Sequence, residues 1–249
     1  MTNMKKRTVT VSLMSLLLLF SVTLSGQTGE TIEGIVEKPS GHQIIKDKFI
    51  EGDPVWMTPV LICFLVGLTI VIERLITLYL SGINTQKFIS RIEDILKNEG
   101  VAAAKKECQL TKGPVASIYY QGLDRVEEGI EKVEASVQSY GSVQMGMLEK
   151  GMVWISLFIA LSPMLGFLGT VVGMIQAFDK IAEVGDISPT IVASGIKVAL
   201  LTTVAGLIVA IILQVFYNLI LSKIDSIAGE MEEASIALTD MLIKNKIVK

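Results

Sequence analysis

The chain has 249 residues, of which 51% are hydrophobic and 19% are charged. Its mean hydropathy of +0.57 is too high for an ordinary soluble domain and indicates a membrane protein. The formal net charge of −3 gives no basic excess, which argues against nucleic-acid binding, and Cys63 and Cys108 lie in an apolar and a charged run, which argues against a disulfide framework.

The first predicted segment, residues 1–26, has the layout of a bacterial secretory signal. A basic start, "KKR", is followed by an apolar centre and then by small residues. Because the apolar centre is short and no cleavage site stands out, the segment is either a cleaved signal peptide or an extra N-terminal helix. In both cases the periplasmic segment that follows, residues 27–53, is expected outside the cytoplasm.

Three later apolar runs are each long enough to cross a hydrocarbon core of about 30 Å as a helix. Lysine and arginine are dense before the second run and return in the C-terminal tail, but only Lys180 lies between the second and third runs. The positive-inside rule therefore places the middle segment and the C-terminus in the cytoplasm. The predicted order is transmembrane helix 1 at 54–80, a cytoplasmic segment at 81–150, transmembrane helix 2 at 151–178, a short periplasmic loop at 179–190, transmembrane helix 3 at 191–221 and a cytoplasmic tail at 222–249.

The cytoplasmic segments have the period of amphipathic helices. From Val115 to Tyr140 apolar residues recur every three or four positions, and no strong helix breaker separates Tyr140 from the second span. We therefore expect one long helix that runs into that span. In the tail, apolar residues from Ile224 to Leu242 continue the phase of the third span. The predicted fold is an all-α membrane protein whose three transmembrane helices extend into a cytoplasmic helical bundle.

Spans two and three each carry a stripe of small residues with a threonine in the middle. The stripes comprise Pro163, Gly166, Thr170, Gly173 and Ala177, with Gly169 at the edge, and Gly195, Ala199, Thr203, Gly206 and Ala210, with Thr202 adjacent. Small residues at this spacing let membrane helices approach closely. The stripes are explained either by helix packing alone or by packing around a narrow pore that Thr170 and Thr203 line.

The sequence also resembles a known family. The strings "LSPMLGFLGTVVGMIQAF", "GDISPTIVASGIKVALLTTVAGLIVAI" and "IERL" are similar to the MotA/TolQ/ExbB proton-channel family, and most similar to its ExbB branch. The resemblance implies a subunit of a proton-driven motor in the bacterial inner membrane, with Thr170 and Thr203 as pore threonines. It also implies a homo-pentamer around a dimer of an ExbD-like single-span partner, and transfer of work to a TonB-like protein that energises outer-membrane transport.

One position departs from the family pattern. The ExbB and TolQ branches commonly carry a glutamate in a string like G-I-x-E-A-L, but here "GIKVAL" has Val198 at that place. The adjacent Lys197 either snorkels to the outer interface or has a functional role, in which it pairs with a partner's carboxylate or tunes proton entry. No Asp, Glu or His occurs in 151–178 or 191–221, so these spans lack a titratable proton carrier. We expect an ExbD-like partner to supply an aspartate.

The remaining candidates have simpler explanations. At the inner end of span one, Arg74 is expected as an interfacial anchor and Glu73 as a contact to the cytoplasmic helices or a neighbouring subunit. His42 has no ligand cluster around it, so we expect neither a metal nor another cofactor. The sequence contains neither a nucleophile paired with a base nor a phosphate-binding motif, so it does not indicate an enzyme. The alternatives to an ExbB-like motor are a TolQ-like subunit for envelope maintenance and a non-conducting scaffold.

Overall fold

The computed structural model describes residues 41–82, 84–185, 189–245 and 247. The predicted signal-like segment and residues 27–40 lie outside this range. Every regular element within the described residues is a helix, which confirms the predicted all-α fold. The helices are α1 (Gly41–Glu51), α2 (Pro54–Ser81), α3 (Thr85–Asn98), α4 (Val101–Leu110), α5 (Pro114–Asp124), a 3₁₀ helix (Val126–Glu128), α6 (Ile130–Leu148), α7 (Met152–Val184) and α8 (Pro189–Lys244).

Helices α2, α7 and α8 contain the three stretches of the described chain that are long and apolar enough to cross a membrane. Many of their large apolar side chains are exposed in the single chain, for example Phe167 at 65% and Ile211 at 63%. Contiguous apolar surface of this kind is stable only against lipid or another apolar chain. The protein is therefore a multi-pass membrane protein.

The chain divides into two compact units, and the first contains the described residues up to Glu73 together with residues 153–217. It holds most of α2 and α7 and the first part of α8. Val71, Ile155 and Leu213 are fully buried in it. Helices α2 and α8 meet at Gly67, where a Cβ atom would lie 2.8 Å from Leu213 Cδ1. A glycine at this point therefore lets the two helices pack closely.

The second unit contains the described residues within 74–152 and 218–247. It consists of the end of α2, the helices α3 to α6 with the 3₁₀ helix, and the C-terminal part of α8. Its core surrounds Tyr119, which is fully buried, and Gly122, where a Cβ atom would lie 2.7 Å from Leu238 Cδ2. The hydroxyl of Thr85 donates a hydrogen bond of 2.5 Å to Glu230, which ties the start of α3 to the end part of α8.

The prediction of one long helix before the second span is wrong at two places. The helix is interrupted at Gly129, which has a φ of 98°, and again at Gly151, which has a φ of 90°. Glycine adopts positive φ without steric cost, so each residue allows a helix to end and the next to begin. The apolar period survives the first interruption because Val126, in the 3₁₀ helix, is still buried.

The segment between the second and third spans also differs from its prediction. Residues 179–184 of the predicted loop are helical, because α7 continues to Val184. Helix α8 begins at Pro189, a residue well suited to a first helical position since its missing N–H would have no partner there. It then runs for 56 residues to Lys244. Ile224 and Leu242, at the two ends of the predicted apolar stripe in the tail, are fully buried.

Candidate functional site

Helices α7 and α8 pack backbone against backbone within the first unit. A Cβ atom at Gly206 would lie 2.5 Å from the carbonyl oxygen of Ser162, and one at Gly166 would lie 2.8 Å from the carbonyl oxygen of Thr202. Neither distance leaves room for a side chain. Both glycines, which the sequence analysis assigned to helix packing, therefore sit where the two helices touch.

The other predicted packing residues lie along the same contact. A Cβ atom at Gly169 would lie 2.7 Å from Thr202 Oγ1, and one at Gly173 would lie 3.3 Å from Ala199 Cβ. Ala199 itself is 1% exposed. Gly169, expected only at the edge of its stripe, is thus in the middle of the contact.

The two threonines predicted to line a pore are hydrogen-bonded to each other through their hydroxyl oxygens. Thr170 Oγ1 also lies 3.0 Å from the carbonyl oxygen of Ala199 on the other helix, and Thr203 Oγ1 lies 3.1 Å from the carbonyl oxygen of Gly166. Thr170 is in addition 3.3 Å from the carbonyl oxygen of Gly166 on its own helix. Both residues are half-buried, so part of each is exposed at the surface of the single chain.

A third hydroxyl, for which no role was predicted from the sequence, belongs to the same cluster. Thr202 is 1% exposed, and its Oγ1 lies 2.8 Å from the carbonyl oxygen of Ala199 and 3.3 Å from that of Gly166. Three hydroxyls therefore share two backbone carbonyls. The signal for Thr202 in the sequence was its position beside Thr203, but only the structure shows that it faces Gly169.

Lys197 has a partner within its own chain. Its Nζ lies 3.2 Å from Oε2 of Glu51, at the end of α1, and the same oxygen accepts a 2.7 Å hydrogen bond from Lys48. The hydrogen bond from Lys48, and then that from Lys197, hold the pKa of the Glu51 carboxyl below its ordinary value. Val198, which replaces the family's glutamate, is half-buried.

The two charged residues at the end of the first span differ in burial. Arg74 is 9% exposed, which is less than expected for a side chain that anchors a helix in the headgroup region. Glu73 is half-buried. Their roles towards a neighbouring subunit stay predictions.

A hydroxyl cluster of this kind can hold a proton carrier but cannot act as one. A threonine hydroxyl donates one hydrogen bond and accepts others, and it does not titrate near neutral pH. The fold and the cluster define an all-α membrane protein in which two spans are joined through their backbones and through hydroxyl groups. The chain belongs to the MotA/TolQ/ExbB proton channel family, whose model matches residues 110–233, and its relatives include members of the ExbB branch.

Two curated relatives and one solved structure are similar to this chain. A putative biopolymer transport protein ExbB homolog of Methanothermobacter thermautotrophicus is 31% identical over 153 residues, which cover 61% of this chain and 54% of that protein. The biopolymer transport protein ExbB of Salmonella typhimurium is 33% identical over 124 residues, which cover 49% of this chain and 47% of that protein. The chain thus spans about half the length of these relatives. A chain of the C. jejuni MotAB structure aligns with 98% of this chain and 95% of its own length, but the identity of 15% and the TM-score of 0.46 are too low to indicate a shared assembly.

Proposed function

We propose that this chain is an ExbB-like subunit of a proton-driven motor in the bacterial inner membrane. The observation that carries the proposal is the half-buried hydroxyl pair of Thr170 and Thr203, which lies between two helices without any Asp, Glu or His in 152–178 and 191–221. A proton path through this place needs a titratable group. That group must come from another chain.

The partner that fits is an ExbD-like single-span protein with an aspartate in its membrane helix. A carboxyl group is costly in apolar surroundings unless hydrogen-bonding groups receive it, and the threonine hydroxyls are such groups. The exposed apolar faces of α7 and α8 suit contact with a partner helix and with neighbouring copies of this chain. Family resemblance supplies the arrangement, a homo-pentamer around a partner dimer.

In this proposal proton flow past the threonine pair drives the motor, and a TonB-like protein carries the work to transporters in the outer membrane. The names of the relatives, which are biopolymer transport proteins, support the transport role. The distribution of lysine and arginine supports a cytoplasmic C-terminus. The proposed role is transport without catalysis, since no nucleophile–base motif was found in the sequence.

One observation favours the scaffold alternative. Each hydroxyl of Thr170 and Thr203 already has a hydrogen-bond acceptor within the chain, either the other threonine or a backbone carbonyl, as expected if the pair only fastens two helices together. A scaffold and a proton path therefore share the same resting geometry. They differ in what happens when the hydroxyl groups are removed.

The test is proton flux into liposomes that contain this chain with or without a co-expressed ExbD-like partner. Thr170→Val and Thr203→Val keep the shape of the side chain and remove the hydroxyl. Thr69→Val is the matched control, because Thr69 bonds only its own helix, at 2.7 Å to the carbonyl oxygen of Leu65. The motor proposal expects flux that needs the partner, falls at least tenfold in both pore variants and survives in the control.

Two results would contradict the proposal. Flux from this chain alone would mean that no partner carboxylate is required. Unchanged flux or motor activity in both valine variants, with the complex shown intact, would favour a scaffold role for the hydroxyl pair.

A further inference from the structure

The buried hydroxyl of Thr202 competes with the threonine pair for the same acceptors. It lies closer to the Ala199 carbonyl oxygen, at 2.8 Å, than Thr170 does, at 3.0 Å. Thr203 meets the Gly166 carbonyl at 3.1 Å, while Thr202 is 3.3 Å from it. The shortest of these distances to a carbonyl assigns Thr202 to Ala199.

The number of hydroxyl donors can be compared with the number of free acceptor positions on the two carbonyls. A carbonyl oxygen has two lone pairs, and in a helix one of them accepts the backbone N–H four residues later. Each of the two carbonyls therefore has room for one hydroxyl. With Thr202 on Ala199, only the Gly166 carbonyl is left for Thr170 and Thr203. One of the pair donates to that carbonyl, and the other donates to its neighbour's oxygen.

The hydrogen between the two pair hydroxyls is the one most easily redirected. When Thr170 turns outward, it gives up a bond to a hydroxyl, while the bond from Thr203 to Gly166 stays in place. Without the Thr202 hydroxyl, the Ala199 carbonyl is open to Thr170. Thr170 and Thr203 then both donate to backbone carbonyl oxygens, and an outward turn of Thr170 breaks a hydrogen bond to a carbonyl oxygen instead of one to a hydroxyl.

We infer that Thr202 is a positioning residue: by occupying the Ala199 carbonyl, it keeps the Thr170 hydroxyl available to donate to a partner's carboxylate. This inference rests on the proposed function, which brings a carboxyl group to the pair. A hydrogen bond to the charged form of a carboxyl lowers its pKa. Loss of the Thr202 hydroxyl should therefore raise the pKa of the partner's carboxyl, because a neutral acid needs only an acceptor oxygen and a carboxylate needs a donor.

The test uses the complex of this chain with its ExbD-like partner in lipid, and it follows the partner carboxyl by infrared difference spectroscopy as a function of pH. Thr202→Val removes the hydroxyl and keeps the side-chain volume, while Thr202→Ser keeps the hydroxyl. Thr69→Val removes a hydroxyl from a different place in the same unit. Thr202→Val is expected to raise the titration midpoint by about one pH unit, and both controls are expected to leave it unchanged.

The outcomes separate the inference from the function on which it rests. A wild-type complex without any titrating partner carboxyl overturns the proposed function and the inference together. If the partner carboxyl titrates in the wild-type complex but its midpoint is the same or lower in the Thr202→Val complex, only the role of Thr202 is overturned. If the valine variant does not assemble, Thr202→Ala removes the same hydroxyl with less volume and is judged by the same midpoint.

Discussion

Replacement of Gly206 by alanine should weaken the contact between α7 and α8. The new Cβ atom would lie 2.5 Å from the Ser162 carbonyl oxygen and 3.3 Å from Gly166 Cα. Since ordinary contacts begin near 3.5 Å, the helices must separate by roughly 1 Å. The 3.1 Å hydrogen bond from Thr203 to the Gly166 carbonyl would then stretch beyond its useful range.

The expected loss follows from three contributions. Overpacking costs about 2 kcal/mol, and the lost hydrogen bond about 1 kcal/mol. The higher helix propensity of alanine stabilises the folded state by about 1 kcal/mol and offsets part of this loss. We therefore expect Gly206→Ala to lower the free energy of unfolding by about 2 kcal/mol.

Gly229 is the matched control, because it lies in the same helix but, apart from the adjacent residues and backbone of that helix, no described atom is within 4 Å of the position of its Cβ. Gly229→Ala should raise the free energy of unfolding by up to about 1 kcal/mol through helix propensity alone. Both variants would be unfolded with denaturing detergent and followed by circular dichroism. Wild-type stability of Gly206→Ala, or a change of stability in the same direction in both variants, would contradict this prediction.

Three further predictions concern the second unit. Tyr119→Phe removes a buried hydroxyl for which the described residues offer no hydrogen-bond acceptor or donor, so it should raise the free energy of unfolding by about 1 kcal/mol, and a loss in the same unfolding assay would contradict this. Burial raises the pKa of Cys108 to about 12, so its thiol should react with a maleimide only after denaturation, and rapid labelling of the native protein would refute the placement. The hydrogen bond and charge of Lys105 hold the pKa of Asp124 below its ordinary value, so the ionised carboxyl stabilises the fold above its unfolded-state pKa, and this stabilisation is lost as the pH falls through its folded-state pKa. Asp124→Asn should therefore lose less stability on acidification than the wild type, and parallel curves of stability against pH would be evidence against this.

The contact between α7 and α8 could be predicted because its signal is local and periodic. Small residues every three or four positions lie on one face of a helix, and close approach is what that face permits. The same helical period of apolar residues also predicted the buried stripe in the tail of α8. Neither prediction required knowledge of which residues are neighbours in space.

The interruptions at Gly129 and Gly151 could not be predicted in the same way. Glycine is also found inside helices of this chain, for instance at Gly122 and Gly166, where its small size serves packing. Composition therefore does not tell a packing glycine from one with positive φ. That distinction depends on the tertiary contacts of the flanking residues.

Contacts that join distant residues were equally hidden. The ion pair between Glu51 and Lys197 links α1 to the start of α8, and no local pattern marks either residue as the other's partner. Thr202 was overlooked because a neighbour of Thr203 points about 100° away on a helical wheel. Its hydroxyl reaches the same carbonyls only because Gly169 leaves room for it.

The glycine contacts differ in whether a second mutation could repair them. At Gly67 the nearest atoms belong to the side chain of Leu213, so a smaller residue at 213 can compensate for a larger one at 67. At Gly206 the nearest atom is the backbone oxygen of Ser162, which is present whatever residue occupies that position. A genetic screen for intragenic suppressors should therefore recover changes at 213 for variants of Gly67 and none at 162 for variants of Gly206. The two kinds of contact place different limits on how this sequence can diverge.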